Sequence, residues 1–210
     1  TDGSGSGQCG NGARCFTRFV REQGLTQKKQ LAVQTISTRF HLTMGAEGEV
    51  SAELDVPEFE PAKIPFRRAQ PADRYSVLVD GQSMMIGVAS LGNPHAVLLV
   101  DDIDEAPVSR VGPVIEHHTD FPERTNVGFV EIKSPTDIRL RVWERGVGET
   151  LACGSGACAA VSVCRRWNLI EDSVRVSLPG GVLQITWPGR GPILMSGPTT
   201  RVFDGLWPVQ

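Results

Sequence analysis

The chain has 210 residues, of which 40% are apolar and 21% charged, with a net charge of −3 at neutral pH. This is a globular rather than a disordered balance, and a chain of this length buries roughly 70% of its unfolded surface. Lys and Arg are scattered along the chain in runs of no more than two, so no basic stripe offers a nucleic-acid site, and apolar runs such as 96–100 fall far below the roughly 20 residues that a membrane span needs.

The opening, Asp2-Gly3-Ser4-Gly5-Ser6-Gly7, is turn-like and reads as a chain cut into its first domain. A helix is predicted over 13–23, where apolar residues recur at helical spacing and Gly24 stands as a C-cap. Runs rich in β-branched and aliphatic residues predict strands at 31–36, 76–79 and 95–100. A weaker helical pattern at 106–116 is interrupted by Gly112-Pro113. A strand at 138–143 and a helix at 157–168 follow. Strands at 174–178 and 182–187 are joined by a hairpin turn at Pro179-Gly180. The pattern predicts an α+β protein with few helices packed against or inside strand layers.

One repeat stands out. Cys9-Gly10-Asn11-Gly12-Ala13 and Cys153-Gly154-Ser155-Gly156-Ala157 differ only at the third position, each opens a helical segment, and each helix leads to a strand. Unrelated glycine loops rarely coincide so closely, so a duplicated half is inferred, with two similar domains facing one another. Glycines at a helix start let a ligand approach the backbone. The first-turn N–H groups lack helical partners and, with the helix dipole, form a carboxylate site. The same field is expected to lower the pKa of a thiol at that end. Two such loops would hold one carboxylate between two sulfurs, as inverting the adjacent carbon requires: a thiolate removes a proton from one face while a thiol returns one to the other.

Other chemistries fit less well. Five unevenly spaced cysteines and the absence of a charged, apolar leader predict free thiols in a reducing, cytoplasmic setting. Cys15, Cys158 and Cys164 fall within predicted helices and are assigned to packing. Their spacings do not make zinc pairs. Gly154-x-Gly156-x-x-Ala159 and Gly5-x-Gly7-x-x-Gly10 match dinucleotide fingerprints, yet no acidic residue ends the following strand. None of Lys28, Lys29, Lys63 and Lys133 is placed suggestively for a pyridoxal Schiff base. No cofactor and no metal are expected.

The motifs Gln8-Cys9-Gly10-Asn11-Gly12-Ala13-Arg14-Cys15, Gly92-Asn93-Pro94-His95, Glu123-Arg124-Thr125-Asn126-Val127-Gly128-Phe129, Glu144-Arg145-Gly146-Val147-Gly148-Glu149-Thr150 and Ala152-Cys153-Gly154-Ser155-Gly156-Ala157-Cys158 together resemble the diaminopimelate epimerase family, in order and over essentially the whole chain. The resemblance implies cofactor-independent interconversion of LL- and meso-diaminopimelate in lysine and cell-wall synthesis. It implies two pseudo-symmetric mixed domains, here 1–53 with 199–210 and 54–198, with strand layers around a central helix and the site in the cleft between them. By matched position, Cys9 and Cys153 are the catalytic pair. Gly10, Asn11, Gly154 and Ser155 cradle the reacting carboxylate, while Asn93, Asn126, Glu144 and Arg145 contact the substrate and read its distal end. His95 and Glu144 tune the thiols. His41, His117 and His118 match nothing and are read as surface residues. The resemblance further implies a segment ahead of Thr1, a small-molecule partner and a possible homodimer. Alternatives are a proline racemase-like isomerase of the same fold, a thiol-disulfide protein, and an inactive truncated fragment that binds without turnover.

Overall fold

The computed structural model describes residues 9–36 and 38–206. The glycine-rich opening run, with the fingerprint that begins at Gly5, and the end of the tail at 207–210 lie outside the described residues.

The elements run α1 (Gly10–Glu22), β1 (Gln30–Gln34), β2 (Arg39–Met44), β3 (Glu49–Leu54), β4 (Tyr75–Val79), β5 (Gln82–Ser90), β6 (Pro94–Leu99), α2 (Val108–Glu116), β7 (Asn126–Ser134), β8 (Asp137–Glu144), β9 (Gly148–Thr150), α3 (Gly154–Arg166), β10 (Ser173–Leu178), β11 (Gly181–Thr186) and β12 (Ile193–Pro198). This is an α+β fold. α1 and α3 begin before the apolar spacing predicts, because their first turns contain glycines of poor intrinsic helix propensity. Gly112-Pro113 does not break α2. A Cβ at 112 would stand 2.6 Å from the Trp143 ring, so the glycine is the notch that lets this helix lie against β8.

The strands form one mixed sheet ordered β1-β2-β3-β12-β11-β10-β8-β7-β6-β5-β4, with β9 paired to β8. Two pairs are parallel, β6 with β7 and β8 with β10. The sequence repeat is visible in this order. The run α1-β1-β2-β3 corresponds to α3-β10-β11-β12, and the sheet reads the same outward in both directions from the β3–β12 boundary. Both helices also end alike. The Leu25 N–H bonds the Val20 carbonyl around Gly24 at φ +70, and the Leu169 N–H bonds the Cys164 carbonyl around Asn168 at φ +57. Each is a left-handed helix stop of the type that glycine or asparagine favours.

The antiparallel β3–β12 ladder has the symmetry of a local two-fold axis. Val50 pairs with Gly197, and their equivalents in the other copy, Leu194 and Glu53, pair in the same ladder. The same correspondence matches the N-terminus of α1 to the N-terminus of α3.

The two copies are not equally covered. α3 is buried along nearly its whole length in the larger core, packed by β5, β6, β7, β8, β11 and β12. α1 packs on β2 and β3, burying Ala13, Arg14, Thr17 and Val20. Its Phe16 and Phe19 are 49% and 54% exposed, whereas their equivalents Ala160 and Val163 are 0% and 2% exposed. A second core lies where α2, Phe66, Tyr75 and Phe121 pack against the sheet. After β12 the chain stays with the first copy for a short distance, through Thr199 N–H and hydroxyl donations to the Gly48 carbonyl at 3.0 and 2.7 Å.

All five cysteines are free thiols. Cys158 and Cys164 are buried in α3, but Cys15 is exposed rather than packed, since it lies on the uncovered side of α1. Of the histidines read as surface residues, His41 and His117 are exposed. His118 is half-buried, with Nδ1 accepting the Asp120 N–H at 3.2 Å. Among the described residues no helix is long and apolar enough to cross a membrane.

Candidate active site

Each repeated motif places its cysteine at the N-cap of a thirteen-residue helix. The cysteine carbonyls accept the first helical bonds, from Ala13 at 3.0 Å and Ala157 at 2.9 Å. Among the described residues no side chain caps either helix, and neither first turn carries an acidic residue. The first-turn N–H groups of Gly10, Asn11, Gly154 and Ser155 are thus left for an anion, while that of Gly156 faces the Cys153 sulfur.

The glycines of the motif have distinct reasons. A Cβ at Gly12 would stand 3.0 Å from Cys9 Sγ, and one at Gly156 would stand 3.1 Å from Cys153 Sγ. These glycines make room for the sulfurs. Gly10 and Gly154 make room for one shared side chain. A Cβ at Gly10 would lie 2.7 Å from Met195 Cε, and one at Gly154 would lie 3.0 Å from Met195 Sδ and 3.2 Å from Asn11 Oδ1. Both helix starts therefore converge on Met195, a fully buried residue of β12 beside the local two-fold axis. Sequence reasoning missed Met195, because a lone methionine in a strand reads only as core.

Asn11 is steadied from below. Arg14, buried in the same helix, donates from Nη2 to Asn11 Oδ1 at 3.0 Å, while its Nε and Nη1 have no partner among the described residues.

The sulfurs sit in unlike settings. Cys9 is exposed and Cys153 is buried. Burial, then the charge of Glu144, pushes the Cys153 thiol up to about 11, although the Gly156 N–H and the Ser155 hydroxyl act the other way. The expectation that a helix start lowers this pKa is corrected here: desolvation and a neighbouring carboxylate outweigh the first-turn dipoles. Ser155 Oγ lies 3.7 Å from Cys153 Sγ.

A second cluster adjoins Cys153. Glu144 ends β8, and its Oε1 accepts the Thr150 hydroxyl across the β8–β9 turn. Arg145 follows, donating from Nη1 to the Glu123 carbonyl at 3.0 Å and from its backbone N–H to Asn126 Oδ1 at 3.0 Å. Asn126 is buried, and its Nδ2 donates to the Pro94 carbonyl at 2.9 Å, so its amide braces two backbone segments. His95 pairs with Asn126 in register, and its Nε2 lies 3.1 Å from Asn93 Oδ1. Burial, then the charge of Arg145, holds the His95 ring down to about 3, so it is neutral at physiological pH. The structure thus gathers Asn93, His95, Asn126 and Arg145 at the ends of β6, β7 and β8, and Glu144 joins them to Cys153. Gly10 and Asn11 adjoin the Cys153 helix start through Met195 and Gly154. Among the described residues no group of three or more His, Cys, Asp or Glu could hold a metal ion.

This arrangement has known relatives. The family model for diaminopimelate epimerase matches residues 87–202. The diaminopimelate epimerase of Thioalkalivibrio sulfidiphilus is 50% identical over 206 residues, covering 97% of this chain and 74% of that protein. The chain belongs to the diaminopimelate epimerase family. A second family member, from Ectopseudomonas mendocina, is 50% identical over 98% of this chain and 75% of its own length. Among solved structures, a hydroxyproline epimerase from Agrobacterium vitis superposes with a TM-score of 0.65 at 14% identity, covering 93% of this chain and 63% of that one. A phenazine biosynthesis protein from Bacillus anthracis gives 0.63 at 14% identity, over 92% and 73%. At such identities these two show that the family shares its fold with other proteins, and no more.

Proposed function

We propose that the chain interconverts LL- and meso-diaminopimelate without a cofactor, with Cys9 and Cys153 as proton carriers on opposite faces of one α carbon. The observation that carries this reading is the convergence of two uncapped, cysteine-led helix starts on Met195. A carboxylate set there meets the free N–H groups at Gly10, Asn11, Gly154 and Ser155 from both sides, which orients the α carbon between the sulfurs. The thiolate takes the α hydrogen as a proton, and the electron pair left behind spreads into the carboxylate, where the helix dipoles stabilise it. The opposite thiol then gives its proton to the other face. Carbon is inverted and the two sulfurs have exchanged roles. Burial keeps Cys153 protonated, which suits it to the role of proton donor. Arg145 suits the distal carboxylate and Glu144 the distal ammonium, with Asn93 and Asn126 shaping that end. Five free thiols fit a cytoplasmic enzyme.

Incubation with LL-diaminopimelate in heavy water tests the reading. α-Deuterium should enter as the meso form appears, and Cys9→Ala or Cys153→Ala should each abolish inversion while Cys164→Ala keeps it. Inversion of proline with no turnover of diaminopimelate would transfer the assignment to a proline racemase-like substrate. A reversible dithiol couple with no α-hydrogen exchange would replace it by thiol-disulfide chemistry.

A further inference from the structure

The β8–β9 turn carrying Glu144 and Arg145 is gripped from behind by a buried carboxylate that the proton transfers do not use. Glu116, the last residue of α2, is 3% exposed. Its Oε1 accepts the Gly146 N–H at 2.9 Å, and its Oε2 accepts the Trp143 indole N–H at 2.7 Å. Arg124 Nη1 and His117 Nδ1 each stand at 4.0 Å, beyond hydrogen-bonding reach. A buried carboxylate is costly unless its oxygens are satisfied, and here each oxygen faces an N–H donor. That is an arrangement for a carboxylate in particular, because an amide would turn its own NH₂ toward one of the donors.

The surroundings give the contact leverage. Gly112 lets α2 lie on the Trp143 ring, so Glu116 belongs to a rigid contact rather than to a loop. Gly146 adopts φ +75 at the tip of the turn. The residue before it, Arg145, is bonded through its backbone to Asn126. The turn is thus fixed by Asn126 from β7 and by Glu116 from α2, on consecutive residues.

We propose that Glu116 is a positioning residue: by holding the Gly146 N–H it sets where the turn presents Glu144 and Arg145, and so how tightly the distal end of the substrate is bound. This rests on the functional reading above for the substrate, though not for the clamp itself. The test is Glu116→Gln in the full chain, read by amide hydrogen exchange at Gly146 and by steady-state kinetics. The clamp predicts exchange at Gly146 faster by about tenfold or more, as expected for loss of one buried hydrogen bond, with amides of the β10–β11 ladder unchanged. KM for diaminopimelate should rise about tenfold with kcat within about threefold, the signature of lost binding rather than lost chemistry. Glu116→Asp, one methylene shorter, should give the same changes in smaller measure, and it carries both readouts if the Gln variant does not fold. Trp143→Phe removes the other donor but leaves the Gly146 bond, and should keep KM within about twofold while lowering stability. Unchanged Gly146 exchange in both Glu116→Gln and Glu116→Asp overturns the clamp whether or not the protein turns over. An equal KM rise in Trp143→Phe also overturns it, by assigning the effect to packing. A wild-type chain that fails to epimerise diaminopimelate, yet shows faster Gly146 exchange in the variant, sinks the functional reading and leaves the clamp standing.

Discussion

At the scale of single residues, two opposing effects meet at Cys153. The helix start favours a thiolate and burial favours a thiol, and burial prevails. A consequence is alkaline sensitivity. An unfolded thiol titrates near about 8.5, whereas the folded Cys153 holds its proton to about 11. Across that window the folded state binds the extra proton, so its contribution to stability is complete below the lower value and is lost as pH rises through the upper one, at up to about 1.4 kcal/mol per pH unit. Cys158 and Cys164 are pushed upward by burial as well. Denaturant titrations between pH 8 and 11 should therefore show falling stability, with a shallower fall in Cys153→Ser; an identical slope in that variant would contradict the assignment. His95 acts on the acid side. Held down to about 3 in the fold against about 6.5 unfolded, it stabilises above the higher value, and stability drops as pH falls toward the lower one. Gly156 makes a sharper test of geometry. A Cβ there would stand 3.1 Å from Cys153 Sγ, so the sulfur must give by a few tenths of an ångström, and a displacement of 1 Å at a reacting group costs about 10²-fold. If Cys153 carries the proton as proposed, Gly156→Ala should thus lower kcat by up to roughly that factor in an assay of inversion while the protein remains folded.

At the scale of elements, what places the chemistry is a pair of alike helices, each opened by a cysteine and closed by a left-handed residue. Sequence periodicity located both but delayed their starts, since it scores the glycines that the site requires as poor helix formers. Tight packing against strands decides the rest. A Cβ at Gly87 in β5 would stand 2.4 Å from Val163 Cγ1 and 2.7 Å from the Trp167 ring, so α3 reaches β5 only because that residue is glycine. Gly87→Ala should cost about 1–3 kcal/mol by overpacking, seen as a melting temperature lower by about 2–4 °C for each kcal/mol. An unchanged melting temperature would mean that helix and strand adjust freely and that the fit is looser than the distances imply.

At the scale of the whole molecule, the β3–β12 ladder is the seam that brings the two copies together, and Met195 is where the seam meets both helix starts. Its removal should be felt twice. Met195→Ala opens a cavity expected to cost about 2–5 kcal/mol, and it frees Gly10 and Gly154 to shift, so inversion should fall further than the loss of folded protein explains. Activity that declines only in step with the folded fraction would reduce Met195 to a packing residue. The copies also differ in cover. β5–β8 enclose α3, while Phe16 and Phe19 of α1 face solvent at positions whose equivalents are buried.

The repeat that contains Cys9 and Cys153, the glycines beside them and the α+β class could be read from the sequence, because a repeated motif is a local pattern and needs no coordinates. Glu144 and Arg145, proposed for the substrate's far end, were singled out only through the family resemblance. The shared role of Met195, the bracing by Asn126, the grip of Glu116 on Gly146 and the upward shift of the Cys153 thiol were not legible at all. Each depends on which atoms lie within a few ångströms after distant segments have packed, and on how much water that packing removes, and neither quantity is written in the order of residues along the chain.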